Sequence, residues 1–126
     1  MEHKSILVVE DDFSTRDLIT QVLSEDLPDY NIIGAENGEQ AIEILKENNT
    51  IEVCLTDGRM PRMDGFHFIA FLKKSYPQIG IIFITAALND FKQAIMLGLD
   101  EYIEKPFDVD NLRTIVKRVI QKRNTL

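Results

Sequence analysis

Residues 53–65, with the sequence VCLTDGRMPRMDG, decide the fold of this chain. The first four of them are apolar or β-branched, which is typical of a buried strand. Asp57 follows directly, a loop with one glycine and one proline comes next, and Asp64-Gly65 leads into a helix. A strand, a turn and a capped helix account for every residue type here except the acid at the strand end. We expect the Asp57 carboxylate to be exposed to solvent and held by a rigid element.

Similar apolar runs lie on both sides of this stretch. The predicted strands are residues 5–9, 30–35, 53–56, 80–84 and 102–103, and apolar residues at helical spacing follow each one. The first helical stripe includes Leu18, Ile19, Val22 and Leu23.

Local motifs predict where three of the helices begin. A capping box at residues 14–17 predicts the start of the first helix, and Asn89 predicts the start of the fourth. Asp108 or Asp110 opens the fifth. Strands that alternate with helices indicate βαβ units with right-handed crossovers. We therefore predict an α/β fold of the flavodoxin-like type, a doubly wound five-stranded parallel sheet with five helices on two faces. Its strand order, 2-1-3-4-5, is taken from the common fold with five such strands, because the sequence itself does not fix it.

Length and composition favour one soluble domain over residues 1–126. Apolar residues make up 44% of the 126 residues and charged residues 28%, and the net charge of −7 opposes binding to nucleic acid. The single cysteine, Cys54, lies within an apolar strand and is expected to be buried and without a redox or metal role. The chain contains no signal-peptide pattern and no apolar run of membrane-spanning length. We expect a cytoplasmic protein that does not bind membranes.

Polar side chains stand at the ends of four predicted strands. Three acids, residues 10–12, follow the first strand, and Asp57, Thr85 and Lys105 follow the third, fourth and fifth. Ligands of such sheets bind at this edge, and converging carboxylates repel one another unless a cation joins them. Oxygen ligands favour Mg²⁺, Mn²⁺ or Ca²⁺, and a small open site suits Mg²⁺. Lys105 and Thr85 suit a phosphoryl group, and Asp57 is a candidate covalent nucleophile.

Taken together, these motifs resemble the receiver domain of two-component response regulators over nearly the whole chain. The matching segments are residues 6–12 (ILVVEDD), 57–65 (DGRMPRMDG), 85–86 (TA) and 102–107 (YIEKPF). The resemblance implies a signalling switch rather than an enzyme that acts on other molecules. Such a switch catalyses its own phosphorylation and slow dephosphorylation. A sensor histidine kinase or a phosphotransfer protein of a phosphorelay would be the phosphoryl donor, and Asp57 the phosphoacceptor.

The resemblance also implies a metal shell. Asp11 would bind Mg²⁺ directly and Glu10 through water, while Asp57 and the backbone carbonyl of Arg59 complete the protein ligands. Asp12 remains a further candidate ligand because it is adjacent in the sequence.

Other residues would respond to the phosphoryl group. Thr85 and Lys105 would contact it, and the peptide bond before Pro106 is expected to be cis. Tyr102 would be the aromatic switch that turns inward when Thr85 moves. This movement would alter a surface formed by the fourth helix, fifth strand and fifth helix, near Phe91 and Ile95, where a partner or a second copy docks as a homodimer.

Two departures from the family pattern stand out. Gly58 occupies a position that usually carries a bulky apolar residue, which predicts a more flexible loop. Arg59 and Ala87 occupy variable positions that flank the acceptor, and an exposed Arg59 is the favoured prediction. Neither departure removes a residue of the expected site.

The sequence lacks the motifs of two other classes of function. A metal-dependent phosphatase of the haloacid-dehalogenase type uses an Asp-x-Asp motif after its first strand. Here the candidate nucleophile follows the third strand, and position 59 is arginine. A flavodoxin-like cofactor binder needs a phosphate-binding loop after the first strand, where this chain has three acids that would repel a phosphate.

Overall fold

The computed structural model describes residues 4–60, 62–86 and 88–124, apart from the side chains of residues 88–91. Strands and helices alternate along these residues. They are β1 (Lys4–Val9), α1 (Phe13–Asp26), β2 (Tyr30–Ala35), α2 (Gly38–Glu47), β3 (Ile51–Asp57), α3 (Gly65–Ser75), β4 (Gly80–Thr85), α4 (Leu88–Met96), β5 (Glu101–Glu104) and α5 (Val109–Asn124). The predicted alternation is confirmed, and the predicted strands differ from the observed ones by at most two residues at an end.

All strand pairs are parallel, and the order across the sheet is β2-β1-β3-β4-β5. The doubly wound α/β fold is therefore confirmed. The register places Val9 of β1 beside Thr56 of β3, and Asp57 beside Ile84 of β4. Because all strands run in the same direction, their carboxyl ends lie along one edge, and the residues that follow them become neighbours.

Alternate side chains of the central strands point to opposite faces, and each face is covered by helices. On one face, Ile6 and Leu55 lie in a buried cluster with Ile19 of α1 and Val116 of α5. On the other face, a second cluster contains residues of α2, α3 and α4, among them Leu45, Phe68, Leu72 and Ala94. This burial is the main apolar stabilisation of the sheet.

One residue of the predicted apolar stripe is not part of the core. Leu18 is 44% exposed, whereas Ile19, Val22 and Leu23 are buried. Helix α1 thus presents only a narrow apolar face to the sheet, and Leu18 lies beside that face rather than on it.

Three predicted helix starts have definite outcomes. Helix α1 begins at Phe13 and its N-cap is Asp12, so the capping box predicted at residues 14–17 is wrong. Helix α4 begins at Leu88, so Asn89 does not precede it; the Asn89 side chain lies outside the described residues. For α5, the Asp108 carboxylate accepts a hydrogen bond of 2.6 Å from the amide of Asn111, which decides between the two candidates.

None of the helices described is long and apolar enough to cross a lipid bilayer.

Candidate functional site

Three carboxylates converge at the carboxyl edge of the sheet. Glu10 and Asp11 follow β1, and Asp57 ends β3, the neighbouring strand. One oxygen from each lies within 4.8 Å of the others. The sequence-based expectation that these acids meet is therefore confirmed. Their oxygens form a donor set that suits a hard cation such as Mg²⁺.

Asp57 is buried, which contradicts the expectation of an exposed carboxylate. The residue is only 7% exposed. Its Oδ2 accepts a hydrogen bond of 3.2 Å from Nζ of Lys105, and its Oδ1 accepts one of 3.3 Å from the amide of Arg59. The carboxylate is thus held by Lys105, which follows β5, and by the amide of Arg59 in the loop after β3, and these two bonds fix the directions of its oxygens.

Glu10 is almost fully buried beside Asp57. Its Oε1 accepts a hydrogen bond of 2.7 Å from Nζ of Lys105, and its Oε2 accepts one of 3.0 Å from the amide of Asp12. Burial raises the pKa of Glu10 to about 7, and the charge of Asp57 adds to the rise, although both hydrogen bonds oppose it. The site therefore concentrates more negative charge than the lysine neutralises.

Lys105 is the positive charge of the site. Its backbone amide donates a hydrogen bond of 3.0 Å to the carbonyl of Thr85, and its peptide bond to Pro106 is cis. Burial lowers the pKa of Lys105, but the hydrogen bonds and charges of Glu10 and Asp57 outweigh it, so the net pKa is raised. The side chain is therefore an ammonium ion bridging both carboxylates.

The fourth acid, Asp12, has a different place. Its carboxylate caps α1 and accepts hydrogen bonds of 2.9 Å and 2.7 Å from the amide and hydroxyl of Thr15. These bonds lower the pKa of Asp12. Asp12 is not among the three converging acids, so the structure supports a capping role for it and does not bring it into the candidate metal shell.

A cavity of about 320 Å³ opens above Asp57. It is lined by Asp57, Arg59, Thr85, Ala86 and Lys105. Thr85 is 2% exposed, whereas Arg59 is exposed, in agreement with the favoured prediction for its side chain. The cavity combines a carboxylate, a hydroxyl and an ammonium group, which together can hold a tetrahedral anion.

The proposed switch residue lies away from this cavity. Tyr102 is paired with Phe83 in the sheet and is 46% exposed. Ile95 and Met96 of α4 are also exposed, by 56% and 87%. The side chain of Phe91, which was predicted to lie near the switch surface, and Ala87, which was predicted to flank the acceptor, lie outside the described residues.

Two features of the site were not anticipated from the sequence. Nη1 of Arg16 donates a hydrogen bond of 2.7 Å to the backbone carbonyl of Glu10, which ties α1 to the end of β1. The ring of Phe83 lies against Gly58, where a Cβ would approach its Cζ to 2.5 Å. Periodicity could not reveal either contact, since it predicts only that Arg16 is helical and that Phe83 is in a strand.

Comparisons with known proteins agree with this geometry. The family model described as "Response regulator receiver domain" matches residues 6–117. Sporulation initiation phosphotransferase F from Bacillus subtilis is 30% identical over 122 residues, covering 95% of this chain and 96% of that protein. A cyclic di-GMP phosphodiesterase from Thermotoga maritima is 34% identical over 122 residues, covering 94% of this chain but 32% of that protein.

Solved structures show the same fold. A response regulator receiver domain protein from Clostridium thermocellum has a TM-score of 0.88 at 26% identity, with 97% of this chain and 98% of that chain covered. A CheY-like receiver domain protein from Methanospirillum hungatei has a TM-score of 0.89 at 25% identity, with 98% of each chain covered. The chain spans between 32% and 54% of the length of five curated relatives that it matches.

Proposed function

This chain belongs to the family of response regulator receiver domains, and on that premise we propose that Asp57 accepts a phosphoryl group from a histidine kinase or a phosphotransfer protein. Receiver domains are signalling switches. The observation that carries the proposal is the convergence of three carboxylates and one ammonium group, of which Asp57 and Lys105 also line an open cavity. The name of the Bacillus relative, a phosphotransferase, agrees with this chemistry. We further propose that residues 1–126 form one receiver domain.

Mg²⁺ is the proposed cofactor, and the residues present fit it. Glu10, Asp11 and Asp57 offer oxygen ligands only, within 4.8 Å of one another. Burial and the charge of Asp57 raise the pKa of Glu10, and a further cation would offset this cost of negative charge. We propose Asp11, Asp57 and the backbone carbonyl of Arg59 as direct ligands, with Glu10 acting through water. When bound, the ion neutralises charge that develops on the phosphoryl oxygens.

The transfer itself is a substitution at phosphorus. An oxygen of Asp57 forms a new P–O bond while the P–N bond of the donor phosphohistidine breaks, and the imidazole leaves with the electron pair and takes up a proton. Lys105 is placed to pair with one phosphoryl oxygen, since its Nζ already lies 3.2 Å from Asp57 Oδ2. Thr85, which lines the same cavity, is the proposed hydroxyl donor to another oxygen.

Phosphorylation would then shift an equilibrium between two conformations of the surface formed by α4, β5 and α5. The hydroxyl of Thr85 and the ammonium of Lys105 move toward the new dianion, and Tyr102 turns from its half-exposed position to a buried one. The exposed apolar side chains of Ile95 and Met96 support placing the docking surface here, for a partner protein or a second copy. Coupling of roughly 1–3 kcal/mol would change partner affinity about 5–150-fold.

The phosphatase alternative is not favoured by the comparisons, which match receiver domains. The position of Asp57 at the end of β3 also differs from the position of a nucleophile after the first strand.

The direct test is labelling by acetyl phosphate. Asp57→Asn should abolish incorporation of phosphate, because an amide is a poor nucleophile. Asp64→Asn is the matched control: Asp64 lies in the same loop and caps α3, and asparagine caps equally well, so labelling should persist. Stoichiometric labelling of the Asp57 variant, with the phosphate mapped to another residue by mass spectrometry, would refute the assignment.

A further inference from the structure

The glycine that follows the phosphoacceptor lies against the edge of a buried aromatic ring. A Cβ on Gly58 would lie 2.5 Å from Cζ of Phe83 and 3.1 Å from its Cε2, well inside the usual carbon–carbon contact of about 3.5–4.0 Å. The backbone of Gly58 does not have a left-handed φ, so its conformation would accept other residues. Glycine is therefore required at this position by the space that Phe83 occupies.

The ring of Phe83 is fully buried and packed against a second aromatic ring. Phe83 is 0% exposed in the central part of β4, and its neighbours in the sheet are Thr56 and Tyr102. On the side of α3, the ring of Phe66 stacks on it with a centroid distance of 5.5 Å and an interplanar angle of 27°. Because the interior is closely packed, a larger side chain at position 58 would displace the backbone of the loop rather than the ring of Phe83.

The backbone at Gly58 connects this packing to the site. Its amide donates a hydrogen bond of 3.3 Å to the carbonyl of Ile84, and its carbonyl accepts one of 3.0 Å from the amide of Gly65. The next amide, that of Arg59, donates to the Asp57 carboxylate. The backbone of Gly58 and Arg59 therefore joins the ring contact, the acceptor carboxylate and the proposed metal-binding carbonyl of Arg59.

We propose that Phe83 is a positioning residue for the phosphoacceptor site. Its ring fills the space of the side chain that Gly58 lacks, and it holds the Asp57–Arg59 backbone in the conformation that binds Mg²⁺. The role is indirect, since Phe83 lies beneath the loop and is not among the residues that line the cavity. The inference rests on the proposed function, because it concerns the metal ligands of that site.

The test exchanges size between the two positions. Gly58→Ala should weaken Mg²⁺ binding, followed by amide chemical shifts during titration, by roughly tenfold, which corresponds to about 1.4 kcal/mol. Adding Phe83→Leu removes the colliding ring atoms. The dissociation constant of the double variant should then lie within about threefold of the native value, whereas that of Gly58→Ala differs about tenfold. In the metal-free protein, amide hydrogen exchange at positions 58 and 59 should follow the same order, faster in Gly58→Ala and slowed again in the double variant.

Gly65→Ala is the matched control. A Cβ on Gly65 would collide with the backbone carbonyl of Asp57 and would lie 2.7 Å from the Cα of Gly58. These are backbone atoms, so Phe83→Leu leaves both collisions in place, although it removes a looser contact of 3.1 Å with Cε1 of Phe83. Mg²⁺ binding should be weakened in Gly65→Ala, and the weakening should persist when Phe83→Leu is added.

The outcomes separate the inference from the function it rests on. A native protein that takes no label from acetyl phosphate refutes both. A native protein that is labelled, with a double variant no better than Gly58→Ala, refutes only the positioning role. If Gly58→Ala does not fold by circular dichroism, Phe83→Leu alone decides: faster exchange at Gly58 together with weaker Mg²⁺ binding supports the role, and native values of both overturn it.

Discussion

Replacing Glu10 by glutamine should remove most of the pH dependence of stability that the metal-free protein shows between pH 4.5 and about 7. Glu10 is 2% exposed and shares one lysine with Asp57. Its carboxyl is therefore easier to keep protonated in the folded chain than in the unfolded chain. Glutamine has no proton to lose in this range, so the contribution disappears.

The magnitude follows from the pKa of Glu10, which rises from its ordinary value of 4.5 to about 7 on folding. One pH unit corresponds to about 1.36 kcal/mol, so the ionised Glu10 lowers the free energy of unfolding by about 3 kcal/mol. The folded state holds the proton more tightly. Stability from this group is therefore fully present below pH 4.5, decreases as the pH rises, and is lost above about pH 7. A typical domain has only about 5–15 kcal/mol in total.

Urea unfolding in EDTA, at intervals from pH 4.5 to 8, measures this effect. The native protein should lose about 3 kcal/mol more than the Glu10→Gln variant across this range. Glu43→Gln is the control, because Glu43 is exposed on α2 and its replacement should leave the native slope. If the free energy of unfolding changes equally with pH in the native protein and in the Glu10 variant, the reasoning that burial dominates the pKa of Glu10 is refuted.

Three further predictions follow from the structure. Millimolar Mg²⁺ should raise the melting temperature of the native protein, and Asp11→Ala should remove most of that rise; a native melting temperature indifferent to Mg²⁺ would count against the metal site. Thr85→Ala should still be labelled by acetyl phosphate, but its amide shifts with beryllofluoride should stay near the site, whereas the native shifts should extend to Tyr102; confined native shifts would disprove the switch. Arg123→Ala should lower the free energy of unfolding by about 2 kcal/mol, since it removes the guanidinium 2.9 Å from Asp100, whose side chain is 8% exposed and keeps the amide of Ile81 at 2.8 Å and Nζ of Lys122 at 3.8 Å. A loss below about 1 kcal/mol, as for an exposed pair, would show that Asp100 is satisfied by its other partners.

The sequence predicts the strands and the residues at their ends because both depend on local pattern. Apolar runs show where strands lie, and parallel direction then brings Asp11, Asp57 and Lys105 to one edge. Contacts between distant positions are outside that pattern. The bond between Glu10 and Lys105 joins residues 95 positions apart, and the same lysine contacts Asp57, which is less exposed than the sequence predicts.

Gly58 illustrates the same limit. The sequence suggests that a glycine after the acceptor makes the loop more flexible. The structure instead gives a steric reason, the ring of Phe83 on the next strand, and two backbone hydrogen bonds on the peptide units of Gly58. Only the relative position of β3 and β4 reveals that a small residue at one site is matched by a large one at the other.

The bridging lysine has a consequence for how metal and phosphoryl group affect each other. The Nζ of Lys105 lies 2.7 Å from Glu10 and 3.2 Å from Asp57, so it competes with any dissolved cation for these two carboxylates. Because it is part of the chain, its local concentration does not fall on dilution. Under the proposed function, Lys105 would therefore lower the affinity of the unphosphorylated protein for Mg²⁺. A phosphoryl group on Asp57 would offer the ammonium another anion, so Lys105 would no longer compete with the metal. Under the proposed function, binding of Mg²⁺ and formation of the phosphoryl group then favour each other by the same factor. The population that carries both is therefore larger than it would be if the two were independent.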